Sequence, residues 1–262
     1  PKNQDSEVFR LKYISAGPIT TPELATEQAF NEIIHFAQIS RNGLGYAKLA
    51  ISESDADKFE ELRGKLVKYE EISDKIDYEI AAFLNAVSAS GISEDTSVKI
   101  KAMYKIIGEL ESLGDSGEAI SRILSRRNIH KKTFDFETIK KLDNMVEEVD
   151  RAYVAMIENL NAAHKGTLVE ISNAYNAEDR INNLRNLLRD SEIEEIVLSD
   201  TTKSLIKRGN LFDIDVLEKE RVRIADLLRT QGFFSFDKDY IGFLADTTAG
   251  NKQVNIDMIV RP

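Results

Sequence analysis

Residues 59–84 read FEELRGKLVKYEEISDKIDYEIAAFL, and their apolar side chains recur every three or four positions. An α-helix has about 3.6 residues per turn, so this spacing places the apolar side chains along one side of a single helix. The stripe consists of Phe59, Leu62, Leu66, Tyr69, Ile72, Ile76, Ile80, Phe83 and Leu84. The stretch therefore predicts a long helix, over about residues 55–89, that packs against other helices.

The same periodicity continues on both sides of this helix. It predicts further helices at about residues 21–54, 93–132, 134–163 and 165–190. Asn42, Gly43 and Gly45 predict a break within the first of them, and residues 1–20 are expected to form an extended arm. Three helices followed by two are typical of a repeated three-helix unit whose second copy has lost its third helix. The expected architecture of residues 21–190 is therefore mainly α, with antiparallel helical bundles.

The composition limits the possible partners. The 262 residues carry a net charge of −10, which argues against nucleic acid because phosphate binding needs basic patches. There is no cysteine, which excludes disulfides and thiolate metal ligands. No apolar run has the roughly 20 residues that a membrane-spanning helix needs. The first residues, PKNQDSEVFR, carry neither an initiator Met nor a signal peptide, so we expect a mature or excised piece of a longer protein.

The pattern changes within residues 189–200, RDSEIEEIVLSD. Beyond it, the sequence predicts a strand, two helices and a hairpin of two strands, in the order β-α-α-β-β. These elements are expected at residues 192–198, 200–206, 213–231, 240–247 and 253–260. We therefore expect a second, small α+β domain over residues 191–262.

Pairs of acidic residues occur on two neighbouring predicted helices. Glu70 and Asp74 are four residues apart, and so are Glu111 and Asp115. This spacing puts both acids of a pair on one face of a helix, so antiparallel packing would bring four carboxylates together. Oxygen ligands suit Mg²⁺, Mn²⁺ or iron. The chain has 45 acidic residues, however, so such pairs also arise by chance on solvated helix faces.

The segments KYEEISDKIDYEIAAFL (68–84) and IIGELESLGDSGEAI (106–120) resemble the phosphate-uptake regulator (PhoU) family. Residues 9–33 are similar to the linker that precedes the cytosolic PhoU-like domain of bacterial sodium/phosphate cotransporters. The resemblance covers about residues 8–190. It implies metal clusters bound by Glu70, Asp74, Glu111 and Asp115. In the second repeat Glu178 matches the motif, but Asn182 replaces its aspartate and the partner helix is missing.

The resemblance implies a non-enzymatic regulatory domain at the cytoplasmic face of the inner membrane. Its partners would be a membrane transporter domain or other components of phosphate transport.

Residues 191–262 are similar to a polypeptide-transport-associated (POTRA) domain of the outer-membrane barrel assembly family. The features that match are Lys207-x-Gly209, EKERVR (218–223), QGFF (231–234) and the hairpin that ends in DTTAGNKQVNIDMIV. This resemblance implies a periplasmic scaffold that binds unfolded outer-membrane proteins, partly by strand addition. The two resemblances imply different compartments, so we interpret the chain as a fusion of two proteins.

One further alternative is a di-iron enzyme built in a helical bundle. Glu32 and His35 form a Glu-x-x-His motif, and ferritin-type bundles use two such motifs. Neither His130 nor His164 has a glutamate three residues before it. The sequence thus favours a structural role for His35.

Overall fold

The computed structural model describes residues 11–14, 21–250 and 252–261, of which the side chain of residue 249 is not described. The fold is mainly helical and ends in one antiparallel pair of strands. The elements are α1 (Pro22–Ser52), α2 (Ala56–Ala89), α3 (Glu94–Ile129), α4 (Phe136–His164), α5 (Ser172–Ser199), α6 (Ile214–Thr230), β1 (Ile241–Asp246) and β2 (Asn255–Val260). The predicted arm, apart from residues 11–14, lies outside the described residues.

The chain divides into two compact units, Pro1–Asn182 and Asn183–Pro262. The domain boundary expected at residue 190 falls inside α5.

Polar caps define where four of the helices begin. Thr21, Asp55, Ser93 and Asp135 each accept a hydrogen bond from the backbone N–H three residues further on. A cap of this kind satisfies an amide that has no partner within the helix. The helix starts that the sequence predicted at Thr21 and Ser93 are therefore confirmed.

The predicted break in the first helix is wrong, because α1 is continuous through residues 42–45. Gly43 packs beside the ring of Tyr69, and a Cβ at Gly43 would lie 3.5 Å from that ring. A glycine inside a helix lowers helix stability by about 1 kcal/mol relative to alanine. The packing of this long helix against its neighbours offsets that cost.

The first unit has its main core between α1, α2 and α3. Its fully buried side chains come from all three helices, with Leu160 added from α4. They include Ile33, Phe36, Ile76, Ile80, Leu84, Ile107 and Leu110. A second cluster, centred on Phe59 and Leu66, lies nearer the start of α2. The predicted apolar stripe of α2 is thus the side that faces the core.

Polar contacts join α1 to α4. The Arg41 guanidinium donates to both carboxylate oxygens of Asp150, at 2.6 and 2.8 Å. The hydroxyl groups of Ser40 and Tyr153 are 2.7 Å apart in a buried position. The residue number in α4 falls from 153 to 150 as the number of its partner in α1 rises from 40 to 41. The helices α1 and α4 are therefore antiparallel.

The second unit packs α6, the end of α5 and the hairpin around a small core. Its buried members are Ile193, Val197, Ile224, Ala225, Leu228, Phe236 and Ile241. β1 and β2 pair in register from Ile241 with Val260 to Asp246 with Asn255. The predicted helix over 213–231 and the predicted hairpin are confirmed. The helix expected at 200–206 is wrong, because this stretch contains only a 3-10 turn, Thr201–Lys203.

A buried carboxylate anchors the loop before α6. Glu220 is 2% exposed and accepts from the backbone N–H of Leu205 at 2.9 Å and from Arg223 at 2.9 Å. Arg223 also pairs with Asp200. Glu220 thereby ties the segment that follows α5 to the surface of α6.

The strand predicted at residues 192–198 is wrong, because these residues continue α5. Ile193 and Val197 are buried and Ile196 is partly buried, at the i, i+3 and i+4 spacing of a helix face. Three glutamates in this stretch also favour a helix over a strand. The order of the second unit is therefore helix, helix and hairpin, and the expected β-α-α-β-β order is corrected.

Among the described residues, none of the helices combines the length and the hydropathy needed to cross a membrane.

Candidate metal centre

Helices α2 and α3 lie in close contact at Ser73 and Gly114. A Cβ on Gly114 would lie 2.8 Å from the Ser73 Oγ and 2.9 Å from its Cβ, which is closer than such atoms can come. Ser73 is 2% exposed, and its hydroxyl donates to the carbonyl of Tyr69. Glycine at position 114 therefore permits a separation of the two helices that any other residue would increase.

The acidic residues flank this contact. Glu70 and Asp74 lie on either side of Ser73 in α2, and Asp115 follows Gly114 in α3. One carboxylate oxygen from each of the three lies within 4.8 Å of the others. Metal–oxygen distances of about 2.0–2.6 Å allow one ion to contact three oxygens separated in this way. Glu70, Asp74 and Asp115 can therefore hold a metal ion.

Glu111, the fourth predicted ligand, lies near this group without belonging to it. Within the described part of the chain, the group of acids close enough to share an ion has three members. Burial raises the pKa of Glu111, and the charges of Asp115 and Asp74 raise it further. The charges of the site therefore act on Glu111, although Glu111 is not among the three residues whose carboxylate oxygens lie within 4.8 Å of one another.

Burial also raises the pKa of Glu70, and the negative charges of Asp74, Asp115 and Glu118 raise that pKa further. A raised carboxyl pKa means that the protein disfavours the ionised form. A cation bound among these oxygens would offset the repulsion, and a set of carboxylates alone suits a hard ion such as Mg²⁺ or Mn²⁺. The donor set thus fits a metal of the class that the sequence predicted.

Two acids near the site escaped the sequence prediction. Asp77 carries a pKa raised by burial and by Asp74, and Glu118 contributes to the raised pKa of Glu70. Each lies three residues beyond a predicted ligand, Asp74 or Asp115, on the same helix. Extending the search from the i+4 spacing to i+3 would have found both, because these positions share a helix face.

Glu178 stands apart from this site. It is exposed on α5, and in the residues that the structure describes it belongs to no group that could hold an ion. The second repeat therefore provides no counterpart of the first cluster within that part of the chain.

Glu32 and His35, the residues considered for a di-iron site, are engaged with each other and with the backbone. Glu32 Oε1 lies 3.0 Å from His35 Nδ1, and Glu32 Oε2 accepts from the Tyr13 N–H at 2.6 Å. They do not appear in a metal-binding group among the described residues. Glu32 is thus a structural acceptor.

Comparisons of the chain with protein-family models, with curated proteins and with solved structures find no match. The resemblances to the PhoU and POTRA families therefore stay predictions.

The contact at Gly114 predicts opposite effects for one substitution at two sites of α3. Gly108→Ala, with open space around it, should raise the free energy of unfolding by about 0.5–1 kcal/mol through helix propensity. Gly114→Ala should lower it, because the new methyl group collides with Ser73. Urea denaturation followed by circular dichroism measures both changes.

Ser73→Gly in the Gly114→Ala background should recover part of the loss, which a double-mutant cycle would quantify. Equal stabilisation by both alanines would show that the helices are not held this closely.

The raised pKa of Glu70 predicts how stability changes with pH. At a pH below its ordinary pKa of 4.5 the carboxyl is protonated in the folded and unfolded chain and has no effect. Stability falls as the pH rises from 4.5 through the higher pKa of the folded state, because only the unfolded chain ionises freely. Glu70→Gln should therefore stabilise the metal-free protein at about pH 7, and have little effect at a pH below 4.5.

Urea denaturation in EDTA across this pH range checks the expectation. Glu79→Gln, at an exposed position of the same helix, is the matched control. Identical pH profiles for the Glu70 and Glu79 variants would contradict a charge penalty at Glu70.

Proposed function

We propose that the helical part of the chain, residues 21–190, is a non-enzymatic regulatory domain that binds a hard cation. Glu70, Asp74 and Asp115 are its ligands, and Glu111 experiences the charges of Asp74 and Asp115 beside them. The observation that carries the proposal is the approach of three carboxylate oxygens to within 4.8 Å across two helices.

The electrostatics support this proposal. Carboxylates brought this close repel one another, and the pKa values of Glu70 and Glu111 are raised as a result of burial and of that repulsion. A divalent or trivalent ion, Mg²⁺, Mn²⁺ or iron, would turn the repulsion into attraction and would link α2 to α3. Metal binding would thereby stabilise the folded bundle, since the unfolded chain has no such site.

The link to phosphate transport rests on the resemblance of residues 8–190 to the cytosolic domain of sodium/phosphate cotransporters. On that basis the partner of the domain is a membrane transporter domain or another component of phosphate transport, at the cytoplasmic face of the inner membrane. The bound ion would then set the stiffness of the bundle that contacts this partner.

Metal binding is tested with Mn²⁺ added to protein that has been stripped with EDTA. Equilibrium dialysis with elemental analysis should find stoichiometric Mn²⁺ in the wild type. Asp74→Asn or Asp115→Asn should weaken binding by roughly tenfold or more, since each removes one charged ligand. Alanine at Glu70, Asp74, Glu111 and Asp115 together should abolish it.

Two exposed acids of α5 provide matched controls. Asp179→Asn and Glu178→Gln should leave Mn²⁺ binding unchanged, because both residues lie outside the group. Retention of the metal by the fourfold alanine variant would refute the assignment. Uptake of radiolabelled phosphate by cells that make the wild type or Asp74→Asn tests the transport role, and equal uptake would confine the function to metal binding.

A second candidate function, the binding of a client by strand addition, belongs to the second unit. The small size of its sheet favours this function. In the described residues, β1 and β2 pair only with each other, whereas the POTRA resemblance implies a third strand. A groove of 340 Å³ runs between α5 and β2, lined mainly by Ile193, Val197, Leu198, Met258 and Val260. A strand from an unfolded outer-membrane protein could add to the sheet and place apolar side chains in this groove.

This candidate predicts that one leucine matters for client binding and another does not. Leu198→Asp, in the groove, should weaken binding of a urea-unfolded, fluorescently labelled outer-membrane barrel protein, as measured by anisotropy after dilution. Leu211→Asp, at a position 95% exposed and outside the groove, should have no effect. Equal effects of the two variants, or no binding by the wild type, would exclude strand addition here.

A further inference from the structure

We propose that residues 11–14 form a strap that closes onto α1 by docking in a backbone-binding site, and that the buried carboxylate of Glu32 is the centre of this site. The strap is the segment Leu11-Lys12-Tyr13-Ile14. This inference is independent of the proposed metal site, which uses other residues on α2 and α3.

The first observation is that Glu32 accepts hydrogen bonds from the backbone of the strap. Its side chain is 0% exposed, and Oε2 accepts from the backbone N–H of Tyr13 at 2.6 Å and of Ile14 at 3.4 Å. A buried carboxylate is costly unless hydrogen bonds compensate it. Two successive backbone donors of the docked strap supply part of that compensation.

The second oxygen of Glu32 is used by α1 itself. Oε1 lies 3.0 Å from Nδ1 of His35, one turn further along the helix. A carboxylate accepts, so Nδ1 must carry the proton in this contact. The His35 ring also meets the ring of Tyr13 edge-on, with centroids 6.1 Å apart. His35 therefore orients the carboxylate and contacts the strap at the same time.

The two outer side chains of the strap are partly buried and the two inner ones are exposed, as expected for a docked peptide. Leu11 and Ile14 are partly buried and pack against the main core of the first unit. Lys12 and Tyr13, between them, are exposed. The site thus binds two apolar side chains three positions apart and two adjacent backbone N–H groups.

The strap has few other attachments within the described residues. It forms no part of a helix or strand, and the backbone N–H groups of Tyr13 and Ile14 both donate to Glu32. Glu32 therefore provides the polar attachment of the strap, and Leu11 and Ile14 provide its apolar contacts. Opening it would expose Glu32 to water and free the core positions that Leu11 and Ile14 cover.

The test uses the full chain and measures the state of the strap directly. Trypsin cleavage after Lys12 is followed by mass spectrometry, and amide exchange at Tyr13 and Ile14 is followed by NMR. Glu32→Gln keeps the size of the side chain and removes its charge. It should accelerate both cleavage and exchange roughly tenfold or more, because hydrogen bonds to a charged acceptor are the stronger kind. Glu23→Gln, at an exposed position of the same helix, should change neither.

A second variant loosens the strap without altering α1. Ile14→Ser should accelerate cleavage after Lys12 in the same way, whereas Ile123→Ser, at an exposed position of α3, should not. If Glu32→Gln fails to fold, Ile14→Ser alone decides the question. Unchanged cleavage and exchange in Ile14→Ser, or wild-type cleavage as fast as that of a free peptide of the same sequence, would overturn the proposal.

Discussion

The short distance between α2 and α3 at Ser73 and Gly114 is the constraint on which the acidic site depends. At a larger separation, Asp115 would move away from Glu70 and Asp74, and the three oxygens would no longer lie within reach of one ion. The core formed by α1, α2 and α3 supplies the energy for this approach, since its large side chains are fully buried. Hydrophobic packing therefore holds together carboxylates that would otherwise repel one another.

The two units share one way of using a buried glutamate. Glu32 accepts hydrogen bonds from the backbone N–H groups of residues 13 and 14, and Glu220 accepts one from the backbone N–H of Leu205. In each case a basic side chain on the same helix, His35 or Arg223, lies three residues further on and contacts the same carboxylate. A segment without regular structure is thus fixed to a helix by a single charged acceptor, whose burial is compensated from both sides.

Much of the helical part could be predicted from the sequence because its signals are local. The apolar stripe over residues 59–84 predicted the core face of α2, and the side chains of Thr21 and Ser93 predicted where helices begin. The spacing of Glu70 and Asp74 predicted their shared face. The contribution of Gly114 could not be predicted, since it depends on the side chain that α2 presents at the crossing point.

The errors of prediction also have physical causes. Residues 192–198 are short and apolar enough for a strand, but Ile193, Ile196 and Val197 follow helical spacing and face a core made by later residues. The glycines at 43 and 45 are typical of a helix break, but Gly43 packs beside the ring of Tyr69 within a continuous helix. Asp77 and Glu118 do not follow the i+4 spacing that predicts the site, because each lies three residues beyond a predicted ligand. For residues 192–198 and for Gly43, the competing interaction comes from elsewhere in the chain.

The exposure of Asp74 and Asp115 has a consequence for how an ion would be selected. At physiological ionic strength the Debye length is about 8 Å, so salt screens most of the chain's net negative charge from an approaching ion. The three oxygens lie within 4.8 Å of one another and remain mutually unscreened. Ambient sodium or potassium would therefore weaken long-range attraction to the protein while leaving short-range coordination intact. Discrimination between ions would then depend on their size and charge at contact.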